Sequence, residues 1–134
     1  MILVDTNILI DIATEDPNWA FWSLAQLEAA SIEGPMLIND VVYAELSVRY
    51  ARIEELDSFL LQAEVEMAPI PKPALFLAGK VFSRYRKAGG TRTGVVPDFF
   101  IGAHAAVARM PLLTRDVGRY RTYFPALELI APDI

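Results

Sequence analysis

Short apolar runs alternate with stretches of helical period along this chain, and prolines and glycines punctuate the two. Ile2 to Val4 reads as a buried strand. Asp16-Pro17 starts a helix, with Pro at the first helical position, expected to run to about Ser31. Gly34-Pro35 turns the chain into a second strand, Met36 to Ile38. Asn39 or Asp40 then caps a helix reaching about Tyr50, and the spacing of Ile53, Leu56, Leu60 and Ala63 marks another. Val65 to Ala68 is a third strand, bounded by Pro69, Pro71 and Pro73, which fit neither a helix interior nor a central strand. Ala74, Leu77, Ala78, Val81 and Tyr85 share one face of a long helix that Gly89-Gly90 ends. The following Gly-Gly-Thr-Arg-Thr-Gly segment reads as a flexible loop. Pro97 opens a helix to about Arg109, Leu112 to Thr114 forms a strand, Asp116 caps a short helix, and Leu127 to Ile130 is the last strand. Strands joined by helices imply an α/β fold: a mainly parallel sheet of four to five strands, right-handed crossovers, and helices on both faces.

The 134 residues, 54% of them hydrophobic, fit one domain spanning 1–134 with a single packed core. The absence of Cys excludes disulfides, thiolate nucleophiles and Cys-based zinc sites, and a lone His argues against a His-rich metal site. No basic segment and apolar core precede the first strand, and no apolar run approaches the ~18 residues of a membrane span. A cytoplasmic protein with no membrane partner is the expectation. The net charge of -5 argues against a nucleic-acid partner until its distribution is considered. Residues 80 to 121 carry nine of the twelve basic residues and only two acids, Asp98 and Asp116, so a phosphate backbone has a basic segment to lie along.

Those two acids belong to a more informative set. Asp5 ends the run M-I-L-V-D, Glu45 interrupts V-V-Y-A-E-L-S-V, Asp98 opens P-D-F-F-I-G-A-H-A, and Asp116 follows L-L-T-R. A carboxylate in such surroundings is costly unless something positive meets it. Ligands of parallel α/β sheets collect at the carboxyl ends of the strands, and Asp5 and Asp116 each come just after one. Asp98 lies in the first turn of a helix, where the dipole favours the ionised form. Glu45 sits about two turns into its helix and reaches the same rim only if that helix leans across it. Gathered together, the four repel at ~4 kcal/mol per close pair at an effective dielectric near 20. Only divalent cations or protons relieve that repulsion.

Each acid alone has an ordinary explanation: an Asx turn or cap at Asp5, a surface pair of Glu45 with Arg49, a first-turn acid at Asp98, an N-cap at Asp116. Their combination is what carries weight. Asn7 and Thr114 are candidate supporting residues able to hydrogen-bond a carboxylate or a bound water. His104, on a different side of the helix from Asp98, reads as a packed or partner-bonded histidine. Trp19, Phe21 and Trp22 cannot all face one side of a helix, which leaves an aromatic for a partner or a covering loop.

With the opening I-L-V-D-T-N, the A-E-L around Glu45, the P-D-F-F-I-G-A-H-A helix and L-L-T-R-D-V-G-R-Y-R-T-Y-F, the chain resembles the PIN-domain ribonucleases, specifically the VapC-type toxins of toxin–antitoxin pairs. The resemblance covers essentially the whole chain. It implies a three-layer α/β/α domain, Mg²⁺- or Mn²⁺-dependent endoribonuclease activity, a homodimer, and inhibition by a small cognate antitoxin. The chain departs from the pattern only in its acidic balance and its Gly-rich segment, not at the four acids.

Carboxylates without Cys or His suit a hard ion such as Mg²⁺ or Mn²⁺, one or two of them. Asp5 and Asp98 are the expected direct ligands, Asp116 completes the site directly or through water, and Glu45 holds a bound water or a second ion. Lys87, Arg92, Arg115 and Arg119 are candidates for RNA phosphate contacts. Two other readings stay open: a non-catalytic PIN-like binding or regulatory module, and a haloacid-dehalogenase-like phosphatase with Asp5 as nucleophile. The second Asp such phosphatases usually carry two positions on is Asn7 here.

Overall fold

The computed structural model describes residues 1–132. Strands β1 (Ile2–Val4), β2 (Met36–Ile38), β3 (Val65–Met67), β4 (Leu112–Leu113) and β5 (Leu129–Ile130) form one sheet, in the order β3-β2-β1-β4-β5, with every pairing parallel. Leu3 pairs with Leu37 on one side and Leu112 on the other, so β1 is the central strand. β1, β2 and β4 are buried along their whole length, and so their sequences are continuous apolar runs rather than alternating ones. Edge strand β3 buries only Val65.

The helices are α1 (Thr6–Ala13), α2 (Ala20–Glu33), α3 (Asp40–Ser47), α4 (Ile53–Gln62), α5 (Lys72–Lys87), α6 (Pro97–Ala108) and α7 (Gly118–Tyr123). α1 packs on α2 and α3, and α3 on α4; α6 packs on α5 and α7 and also meets α3. The direction of travel across the sheet reverses between β1 and β4, and right-handed crossovers then lay the helices of the two halves on opposite faces. The result is a three-layer α/β/α domain, as expected from the sequence.

Two differences from the sequence reading have clear causes. Helix α1 was not anticipated, because T-N-I-L-I-D-I-A follows the first strand with only Asp5 as punctuation and its apolar run merges with that of β1. Asp16-Pro17 forms a separate turn, in which Asp16 Oδ1 accepts the N–H groups of Asn18 and Trp19 at 2.8 and 2.9 Å; α2 begins later, at Ala20. A third difference is one of length: β4 and β5 are shorter than the expected Leu112 to Thr114 and Leu127 to Ile130.

α6 is the internal strut. Phe99 and the five residues from Ile101 to Ala105 are buried, as befits a helix apolar nearly all round. Gly102 has no side chain because the Phe124 ring lies against it, which brings the chain after α7 close to α6. His104, also buried, meets Asn39 Nδ2 through Nδ1 at 3.1 Å, while Asn39 Oδ1 caps α3 by accepting the Val42 N–H at 3.0 Å. That cap directs the amide NH₂ at the ring, making Nδ1 the acceptor and the imidazole neutral. The partner-bonded role expected of His104 is what the structure shows.

Candidate metal centre

The reversal of strand order leaves a crevice above the adjacent carboxyl ends of β1 and β4, where ligands of open α/β sheets bind. Asp5 is the residue after β1, and its N–H donates to Leu113 O at 2.9 Å, fixing it beside β4. Only 5% of Asp5 is exposed. Its Oδ1 accepts the Thr6 N–H at 2.7 Å; Oδ2 accepts the hydroxyls of Thr114 at 2.8 Å and Tyr120 at 2.9 Å, with the Asn7 amide farther off at 3.5 Å. All of these donors are neutral. Burial outweighs them and, with the charge of Asp98 adding, raises the Asp5 carboxyl to about 6.

Asp98 stands at the second position of α6, behind Pro97. Its pKa is raised by burial first, with Asp116 adding to the effect and Arg119, 3.5 Å away, opposing it. Asp116 is exposed and its Oδ1 accepts the Gly118 N–H at 3.2 Å, but the N-cap of α7 is Val117, one residue later than expected. α3 brings Glu45 across to the rim, where its Oε1 accepts the Thr6 hydroxyl at 2.7 Å. The four acids line one cavity of about 200 Å³ with Thr6, Asn7, Ile10 and Tyr120.

The donor set fits a hard divalent cation: carboxylate oxygens only, two of the groups pushed toward protonation by burial and by a neighbouring acid, Asp98 in the case of Asp5 and Asp116 in the case of Asp98. Among the described residues no three acidic or histidine side chains stand close enough together to hold a metal ion as they lie. Thr6 holds Glu45, and Arg119 holds Asp98. Asn7 and Thr114 tie the two loops together: Asn7 Nδ2 lies 3.3 Å from Thr114 Oγ1, Asn7 Oδ1 accepts the Arg115 N–H at 3.3 Å, and Thr114 Oγ1 accepts the Asp116 N–H at 3.1 Å.

The basic residues divide. Arg119 stands at the mouth of the site, its guanidinium over the rings of Tyr85 and Phe99 at 5.8 and 6.0 Å. Lys87 and Arg92 are exposed at the end of α5 and in the loop after it. Arg115 has a different partner from the one expected: Nε and Nη2 donate to Asp11 at 2.7 and 2.9 Å, and the group lies over the Trp19 ring at 5.3 Å. It ties the loop after β4 to α1, its guanidinium engaged by Asp11 and not free for a phosphate.

The Gly-rich segment is pinned rather than free. Tyr85 Oη accepts the N–H groups of Thr91 and Arg92, each at 3.2 Å, and Arg86 Nη1 donates to the carbonyls of Gly90 at 3.3 Å and Arg92 at 2.9 Å. Gly90 is required there because the Tyr85 ring fills the space of a Cβ. Of the aromatics in the second helix, Trp19 and Trp22 meet edge-on with centroids 5.9 Å apart, and Phe21 is left 90% exposed.

Sequence reasoning missed Thr6, Asp11 and Tyr120. Asp11 satisfied the same criterion that singled out the other acids, a carboxylate inside I-L-I-D-I-A. Tyr120 gave no signal that separates it from a core aromatic.

Residues 2–125 match the PIN domain family. The chain belongs to that family. This PIN domain superposes on VapBC2 from Rickettsia felis, solved bound to a DNA fragment from its promoter, with a TM-score of 0.74 and 22% identity over 99% of this chain and 100% of that one. VapBC-1 from nontypeable Haemophilus influenzae gives 0.69 and 20% over 98% of each chain, and a toxin–antitoxin complex from Klebsiella pneumoniae 0.66 and 21% over 99% and 98%. At such identities the likeness is one of fold. No curated protein sequence matches this one. Among the described residues no helix is long and apolar enough to cross a membrane.

Proposed function

We propose that this PIN domain is a Mg²⁺- or Mn²⁺-dependent endoribonuclease and the toxin of a toxin–antitoxin pair. The observation that carries the proposal is the single cavity shared by Asp5, Glu45, Asp98 and Asp116 at the strand switch point, with Asp5 buried among neutral donors alone. Membership of the PIN family and the likeness in fold to toxins of toxin–antitoxin complexes favour it.

Asp5 and Asp98 would hold the cation, with Asp116 completing the set and Glu45 orienting water or a second ion. When bound, one or two such ions lower the pKa of an attacking water and neutralise charge on the scissile phosphate. The chain supplies the rest. Asp5 is fixed by its backbone and side-chain hydrogen bonds, Thr6 holds Glu45 toward the cavity, and Thr114 and Asn7 keep the two loops in register. Arg119, Lys87 and Arg92 would contact the RNA backbone and set affinity more than sequence preference. Hydrolysis of this kind leaves 5′-phosphate and 3′-hydroxyl ends.

The antitoxin is a small partner whose segment fills the groove near the acids; a homodimer in the cytoplasm completes the reading. The test is cleavage of total RNA by the pure protein with Mn²⁺ and with EDTA. Cleavage that needs Mn²⁺ and disappears in Asp98→Asn is the expected result. Cleavage in EDTA, or 2′,3′-cyclic phosphate products, would contradict the mechanism, and a phosphoenzyme trapped on Asp5 would replace it with the phosphatase reading.

A further inference from the structure

A carboxylate offers about four lone-pair sites, two on each oxygen. On Asp5 the Oδ2 sites are taken by the hydroxyls of Thr114 at 2.8 Å and Tyr120 at 2.9 Å, whereas Oδ1 accepts only the Thr6 N–H at 2.7 Å. One oxygen is therefore full and the other has room. Tyr120 is only 2% exposed, which keeps water from competing for its hydroxyl. It also lines the cavity that the acids share.

The two common hard cations differ in what they ask of a carboxylate. Mg²⁺ is small, demands octahedral geometry and binds through few protein oxygens, whereas Ca²⁺ takes six to eight ligands at longer distances and readily uses both oxygens of one carboxylate. We propose that Tyr120 is a positioning residue that sets cation choice: with Thr114 it occupies Oδ2 of Asp5, leaving Asp5 one oxygen for the metal and favouring Mg²⁺ or Mn²⁺ over Ca²⁺. This rests on the metal-dependent reading of the site.

The test is calorimetric titration of Mg²⁺, Mn²⁺ and Ca²⁺ into the metal-free full chain and its Tyr120→Phe variant, with melting in EDTA as the check of folding. Losing an outer partner of a metal ligand typically costs ten- to a hundredfold in affinity, so Mg²⁺ and Mn²⁺ binding should weaken about tenfold. Ca²⁺ binding should weaken less or strengthen, so the Mg²⁺/Ca²⁺ preference falls. A merely structural role would weaken all three ions in proportion, and that result, or an unchanged preference, overturns the proposal. Should Tyr120→Phe not fold, Thr114→Val removes the other hydroxyl from the same oxygen, and an unchanged preference there overturns it equally. Failure of the wild-type chain to bind Mn²⁺ would instead remove the metal centre itself.

Discussion

Two buried aspartates six residues apart, Asp5 and Asp11, meet opposite fates. Asp11 is 1% exposed and fully answered: Arg115 donates twice to it, and the Ser23 hydroxyl donates to Oδ2 at 2.8 Å. Asp5 is almost as deeply buried but meets only neutral donors, while Asp98 adds like charge. A carboxylate that has found its cation within the chain fastens α1 to the loop after β4. One that has not keeps an unmet demand for positive charge, and in a cavity shared with three more acids that demand is the physical argument for the proposed metal centre.

The contrast breaks most severely at Arg115. Arg115→Met leaves Asp11 buried and unpaired, a change that costs about 3 to 5 kcal/mol for a buried pair, toward the low end here because the arginine is partly exposed. Urea unfolding should show that loss. A variant as stable as wild type would mean that Asp11 was never held by its cation.

Asp5 should respond in the opposite sense. Its carboxyl is raised from 3.8 to about 6 in the folded state, so between those values the folded chain keeps a proton that the unfolded chain releases. Stability of the metal-free protein therefore falls as pH climbs through this window, by about 3 kcal/mol from this group. Asp5→Asn should remove the slope and leave the protein more stable than wild type in EDTA at pH 8. Equal pH profiles for the two would refute the account of Asp5 as a buried carboxylate without a cation. Asp98→Asn should give a smaller gain in EDTA melting of the same sign.

The smallest effect lies away from the cavity. Asn39→Ala removes the cap of α3 and the partner of His104, and should cost about 1 kcal/mol. Burial lowers the pKa of His104, so its neutral form contributes stability that is present above pH 6.5 and lost as pH falls through the lowered value. Asn39→Ala should soften that acid loss in urea titrations; an unchanged acid limb would show that the ring does not depend on Asn39.

The same contrast marks how far the sequence could be read. Buried strands and the long helices were legible because apolar runs and turn residues are local signals, and the four acids were legible because charge in apolar surroundings demands an explanation. Which explanation applied was not legible for Asp11, whose cation lies 104 positions away. Nor was it legible that Arg115 faces α1, since a phosphate contact and an ion pair leave the same trace in sequence. Helix α1 was hidden because its apolar run joins that of β1, and Tyr120 because a phenol bonded to a carboxylate and a phenol packed in a core look alike.

The proposed metal centre requires that Asp5 and its three neighbours answer their unmet charge with a shared divalent cation. Melting of the metal-free chain at pH 8, with and without Mn²⁺, tests it most directly. Mn²⁺ should raise the transition of the wild type and leave that of Asp98→Asn nearly unmoved. No shift in the wild type, or an equal shift in both, would contradict it.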